Sequence, residues 1–161
     1  MIQKFWHQPN RSYRNFQIAY SLLTLNFLLP ALSYLFFPKL AVQSLTDFGA
    51  LFGQSFYPVS EESHLWRILA VGNVLTLAFS CFLLQWSLIR FYPVLVPLVF
   101  MKGTASLGFL GVFLWVHRHP SYLGIFFLDG VTLMMMLYFA IKAHRSLSPD
   151  LSLLVPQPRS G

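Results

Sequence analysis

The chain has 161 residues, of which 56% are hydrophobic and 10% charged, whereas soluble domains carry about 25% charged residues; the composition excludes an ordinary soluble domain and points to a membrane protein. The formal charge is +6, but there is no contiguous basic tract with interleaved aromatics and no nucleic-acid motif, so nucleic acid is not an expected partner. The basic residues stand mostly at the ends of apolar runs, as they do on the cytoplasmic side of membrane proteins.

Residues 1–15, "MIQKFWHQPNRSYRN", are basic and polar and are expected to form a cytoplasmic N-terminus. The first apolar run, 16–37, is long enough to cross a hydrocarbon core of about 30 Å, which takes roughly 20 helical residues. A cleavable signal peptide is the rival reading. The run is long and "ALSYLFFPKL" offers no small-x-small cleavage site, so a retained helix is expected. Pro30 removes one internal hydrogen bond and predicts a kink.

Residues 38–64, "PKLAVQSLTDFGALFGQSFYPVSEESH", form a long, partly apolar loop. Its start, 40–52, predicts a short helix with Leu40, Leu45, Phe48, Leu51 and Phe52 toward the membrane. Such a helix is either an interfacial cap packed on the bundle or a lid or docking surface. Apolar runs at 65–89, 92–116 and 121–143 complete four spans. "RFYP" and "HRHPS" join the last three, and connections this short predict antiparallel neighbours. None of the runs alternates polar with apolar, and open strands cannot satisfy their backbone in lipid. The predicted fold is therefore all-α: an integral membrane four-helix antiparallel bundle over residues 16–145. Residues 146–161, rich in Pro and Ser, are expected to form an extended C-terminal arm. Cys81, the lone cysteine, lies within an apolar run and cannot make an internal disulfide.

Four spans place both termini on one side. That side holds Lys4, Arg11, Arg14, Arg90, Lys142, Arg145 and Arg159, against Lys39 and Arg118 on the other. The bias predicts cytoplasmic termini. Trp6, Tyr13, Tyr20, Trp86 and Tyr92 then mark the inner interface, and Tyr57, Trp66, Trp115 and Tyr122 the outer one.

Polar residues within the spans are the candidate site. Lys102 falls about ten residues into the third span, roughly 15 Å deep. Asp129 falls in the fourth and Arg67 at the outer end of the second. A lone charge at mid-membrane costs about 2.5–3.5 kcal/mol, so Asp129 is expected to pair with Lys102, with Arg67, or with both. Helical spacing predicts a polar seam on each helix: Asn26 with Ser33, Asn73 with Thr76 and Ser80, Ser106 beside Lys102, and Thr132 beside Asp129. A second seam on helix two carries Arg67, Cys81 and Gln85. Thr104, Gly108 and Gly111 form a small-residue stripe suited to close helix packing.

Glu61, Glu62 and His64, with His117 and His119 across the outer rim, form a candidate transition-metal cluster; equally, they are ordinary interfacial residues. All five histidines lie outside the spans or at their ends, which does not suit a bis-His haem. No HExxH, Gly-rich phosphate loop or Ser/His/Asp set is present, and no cofactor is expected. A Schiff base on Lys102, with Asp129 as counter-ion, is chemically open, though four helices leave little room for a large chromophore.

"FFPKL" after the first span, "LWRILAVGN" opening the second, and the two tiny later loops give a layout that resembles the DoxX-like group of small four-helix bacterial membrane proteins. The resemblance implies a four-span fold and carries over no catalytic residue. The expected role is a non-catalytic accessory or structural subunit of a larger membrane complex, with lipid and other membrane subunits as partners. The alternatives are a small transporter, channel or lipid- or ligand-binding protein using Lys102 and Asp129, and a membrane enzyme acting on a lipid or quinone with the first loop as a lid.

Overall fold

The computed structural model describes residues 10–53 and 64–152, and among them the chain is helical with no strand. Helix α1 spans Arg11–Phe36. It starts earlier than its apolar run because Asn10, in extended backbone, accepts hydrogen bonds from the Ser12 and Tyr13 amides. Those amides would otherwise be orphans of the first turn. Pro30 lies inside the helix without ending it; its missing N–H leaves the Asn26 carbonyl without its helical donor. Phe37 then leaves helical geometry (φ −131°, ψ 58°), as a residue preceding proline tends to. Pro38 opens helix α2 (Pro38–Ala50), where a fixed φ and a missing donor cost nothing. Gly53 follows at φ 79°, a left-handed conformation that glycine adopts without a Cβ penalty.

Helix α3 spans His64–Trp86. The single rod expected over 65–89 breaks at Ser87, which is extended (φ −155°, ψ 98°). A serine competes with the helix for backbone hydrogen bonds, and the break lets Leu88 and Leu95 both turn into the core. A short helix α4 (Leu88–Phe91) and a 3-10 turn (Tyr92–Val94) lead into α5 (Leu95–Trp115). Helix α6 runs Pro120–Ser152. It continues past 145, into the segment where the sequence suggested an extended arm, and Asn10 holds this part of the helix by donating to the Ser146 carbonyl and hydroxyl at 3.3 and 3.1 Å. Residues 153–161 lie outside the described part.

Four helical stretches, Arg11–Phe36, Arg67–Trp86, Leu88–Trp115 and Pro120–Leu147, are long and apolar enough to cross a membrane. Their outward faces are largely apolar: Leu22, Leu29, Ile68, Phe79, Leu107, Leu128 and Met134 are exposed. Monomeric soluble proteins rarely expose contiguous apolar surface on this scale.

Helix α1 packs against both α3 and α6, and α5 packs mainly on α6. Along the α5–α6 contact Lys102 meets Asp129, Ser106 meets the Phe126 carbonyl, and Phe109 stacks with Tyr122; residue numbers fall on one helix as they rise on the other. The end near Asn10 and Ser146 is closed. Phe16, Tyr20, Leu84, Leu88, Leu98 and Met136 are fully buried there. The Tyr20 hydroxyl donates to the Met136 carbonyl at 3.0 Å, and Gln85 donates to the Gln17 carbonyl at 3.0 Å and to the Ser21 hydroxyl. Satisfied buried polar groups of this kind fix helix register at little net cost.

At the opposite end α3 and α5 hardly touch, and α2 folds over the bundle. Ser121 donates to the Leu45 carbonyl at 3.0 Å, and the Phe48 ring lies 3.0 Å from where a Cβ on Gly124 would stand. Leu45, expected to face lipid, is half-buried and packs inward, whereas Phe48 touches Gly124 yet stays exposed, as do Leu40, Leu51 and Phe52.

Candidate functional site

The divergence of α3 from α5 leaves a cavity of about 790 Å³. Its walls are carbon-rich: Ala31 and Tyr34 from α1, Val42 and Leu45 from α2, Val71 and Val74 from α3, and Phe100 and Phe109 from α5. Asn73, Phe100 and Thr104 line it and are also exposed, so they rim its mouth, which opens sideways between α3 and α5. Helix α2 covers it at the loop end. From Phe100 to Phe109 the lining spans ten positions of α5, or about 13 Å of helix.

Lys102 and Asp129 lie at its deep end. Lys102 Nζ stands 2.5 Å from Asp129 Oδ1, with the side chains 11% and 9% exposed. The ammonium also sits 4.6 Å from the centroid of the Phe27 ring, a distance at which the ring face attracts a cation. One turn along, buried Ser106 donates to the Phe126 carbonyl at 3.0 Å and fixes α5 against α6. Asp129 Oδ2 accepts no hydrogen bond from a described residue. Lys102 is fourteen residues from Leu88 and thirteen from Trp115, the middle of that apolar stretch. Beneath the pair, Phe27, Leu77, Cys81, Leu98 and Met136 are buried and belong to one hydrophobic cluster. This packed layer separates the cavity from the Gln17–Ser21–Gln85 hydrogen bonds.

The structure brings together Lys102, Asp129 and Ser106, with Thr132 buried one turn beyond Asp129. It does not bring the rest of the seam inward. Asn26 and Thr76 are exposed, Asn73 stands at the mouth, and Ser80 is half-buried. Thr76 can face outward because its hydroxyl is satisfied by the Gly72 carbonyl of its own helix at 2.8 Å. The inward face of α3 is instead Val71, Ala78, Cys81, Leu84 and Gln85. Half-buried Arg67 lies in the first turn of α3; the ion pair of Asp129 is with Lys102. Among the described residues the two glycines of the small-residue stripe of α5 meet no other helix: a Cβ at Gly108 would have nothing within 4 Å, and one at Gly111 would face its own Trp115.

Most of the rim cluster falls outside the described residues. Glu61, Glu62 and the side chain of His64 lie outside the described residues. Among the described residues no group of three or more His, Cys, Asp and Glu could hold a metal. His117 is exposed, whereas His119 is buried and its Nδ1 accepts from the Ser121 amide at 3.3 Å, capping α6. The sequence also missed several cavity residues. Val42 and Leu45 carry no polar signal, Tyr34 lies outside every polar seam the spacing suggested, and the Phe27 ring could be assigned to Lys102 only once α1 and α5 were placed.

No protein-family model, curated protein or solved structure matches this chain. The resemblance to the DoxX-like group rests on layout alone.

Proposed function

We propose that the protein is an integral membrane four-helix antiparallel bundle, both termini cytoplasmic, that binds a small apolar or amphiphilic ligand in the cavity between α3 and α5. The cavity carries this reading. Its volume falls in the range of roughly 300–1,000 Å³ typical of ligand sites, and its lining is apolar with a few convergent polar groups. The falling and rising contact numbers along α5 and α6 support the antiparallel arrangement, and the Lys and Arg bias supports the orientation. The packed layer beneath Lys102 favours a blind pocket over a channel, which needs a polar path through the full thickness. The role of accessory subunit stays a proposal with no such support. Exposed Leu and Phe suit lipid as well as neighbouring helices.

The test uses the full chain extracted with its native lipid and examined by native mass spectrometry. The wild type should retain a low-mass apolar molecule, and Ala105→Trp, which fills the cavity from its α5 wall, should lose it while keeping its helicity. Equal retention by both proteins, or no bound molecule in either, would overturn the reading. Single-cysteine labelling at residues 2 and 160, in a Cys81→Ser background, checks the orientation: both sites should react only from the cytoplasmic face.

A further inference from the structure

We infer that the ligand is an uncharged single-tailed amphiphile whose one polar end, a hydroxyl or carbonyl, hydrogen-bonds the Lys102–Asp129 pair. The inference rests on the ligand-binding reading and names its substrate class. Two independent features lead to it.

The first is the route. The mouth between Asn73 and the Phe100–Thr104 edge opens sideways, level with the deep half of the cavity, and α2 lies over the loop end. A ligand entering by that mouth arrives through acyl chains. Its polar end must also reach the depth of Lys102, the centre of an apolar stretch running Leu88–Trp115. A charged head at that depth meets the full cost of leaving water. A hydroxyl or carbonyl loses far less and regains it on hydrogen bonding.

The second is the chemistry at the deep end. The ammonium and carboxylate already neutralise each other at 2.5 Å. An anionic head would have to displace Asp129 from Lys102, and a cationic head would have to displace Lys102 from Asp129. Either exchange leaves one buried charge unpaired. A neutral polar head leaves the pair intact. The ammonium has three donors; one is given to Asp129 Oδ1 and the Phe27 ring covers part of the remainder. A ligand oxygen can accept a further ammonium proton, and a ligand hydroxyl can donate to Asp129 Oδ2. The cavity then holds a single tail along its walls of alanine, valine and phenylalanine.

The test compares four probes that share one tail and differ at the head: oleyl alcohol, oleyl phosphate, oleyltrimethylammonium and octadecene. Binding to the detergent-solubilised full chain is read by scintillation proximity. Oleyl alcohol should bind tightest, about tenfold above octadecene, the ratio expected for one or two added hydrogen bonds, and both charged probes should bind more weakly than octadecene. In the double variant Lys102→Met with Asp129→Leu, which keeps an apolar floor, oleyl alcohol and octadecene should bind alike. If either charged probe ranks first while Ala105→Trp abolishes its binding, the head-group inference falls and the pocket stands. If none of the four is retained by the wild type, both fall. If the wild type does not separate alcohol from hydrocarbon, the ion pair recognises no ligand.

Discussion

Removing either half of the Lys102–Asp129 pair should destabilise the fold far more than removing both. The two side chains are about nine-tenths buried and their charged atoms are 2.5 Å apart. At an effective dielectric constant near 20, two unit charges at that separation attract by about 6–7 kcal/mol, and desolvation of both groups offsets much of this. Asp129→Asn leaves an ammonium facing the Phe27 ring with no counter-ion, and Lys102→Met leaves a buried carboxylate without its counter-ion. Breaking a buried pair in this way costs about 3–5 kcal/mol, whereas replacing both members with apolar groups is often neutral. Each single variant should therefore lose about 3 kcal/mol. The double variant, Lys102→Met with Asp129→Leu, should lose about 1 kcal/mol or less. Reversible unfolding of the four proteins in mixed micelles measures the cycle. Double-variant loss equal to the sum of the singles within about 0.5 kcal/mol would mean that the two groups are uncoupled, and the placement of the ammonium against this carboxylate would be refuted.

Gly124→Val should loosen α2 alone, because its Cβ would stand 3.0 Å from a Phe48 ring carbon; amide exchange over 38–50 should quicken severalfold with α1 and α6 unchanged, and unaltered exchange would argue against that contact. Asn10→Ala removes the cap of α1 and its bonds to Ser146, so thermal unfolding should show a loss of about 1 kcal/mol, with earlier fraying of the last turns of α6. Tyr20→Phe deletes the buried hydroxyl bond to Met136 and should cost about 1 kcal/mol without altering ligand retention. A loss of ligand in that variant would mean that the layer beneath the cavity is not independent of it.

The helices were legible because length and apolarity alone set them. A run of about 20 apolar residues with no alternation has one backbone solution in lipid. Their ends were less legible because capping decides them: Asn10 moved the start of α1 outward, and Ser87 broke a run that reads as one rod. Polar residues identified Lys102 and Asp129 for a physical reason. A charge inside an apolar stretch requires a partner, and only one carboxylate lay at a matching depth. The same logic failed for Asn73, Thr76 and Asn26, because an uncharged polar group on a helix can be satisfied locally. Thr76 bonds its own turn and has no need of the interior. Spacing reports which residues share a face, not which face turns inward. On α3 the inward choice is made by the bulk of Val71, Leu84 and Cys81 against α1.

The position of the ion pair within the bundle separates two kinds of function that share the same residues. A pore would place Lys102 and Asp129 in series with other polar groups, and the nearest candidates are the amides of Gln17 and Gln85. Between the two levels stand Phe27, Leu77, Cys81 and Leu98, all buried in one cluster. Close-packed side chains exclude water, so protons or ions reaching Lys102 from the cavity have no onward hydrogen-bonded path through that layer. The same layer makes a firm floor for a bound molecule. Apolar packing below and lateral openness above therefore favour the proposed binding role over conduction.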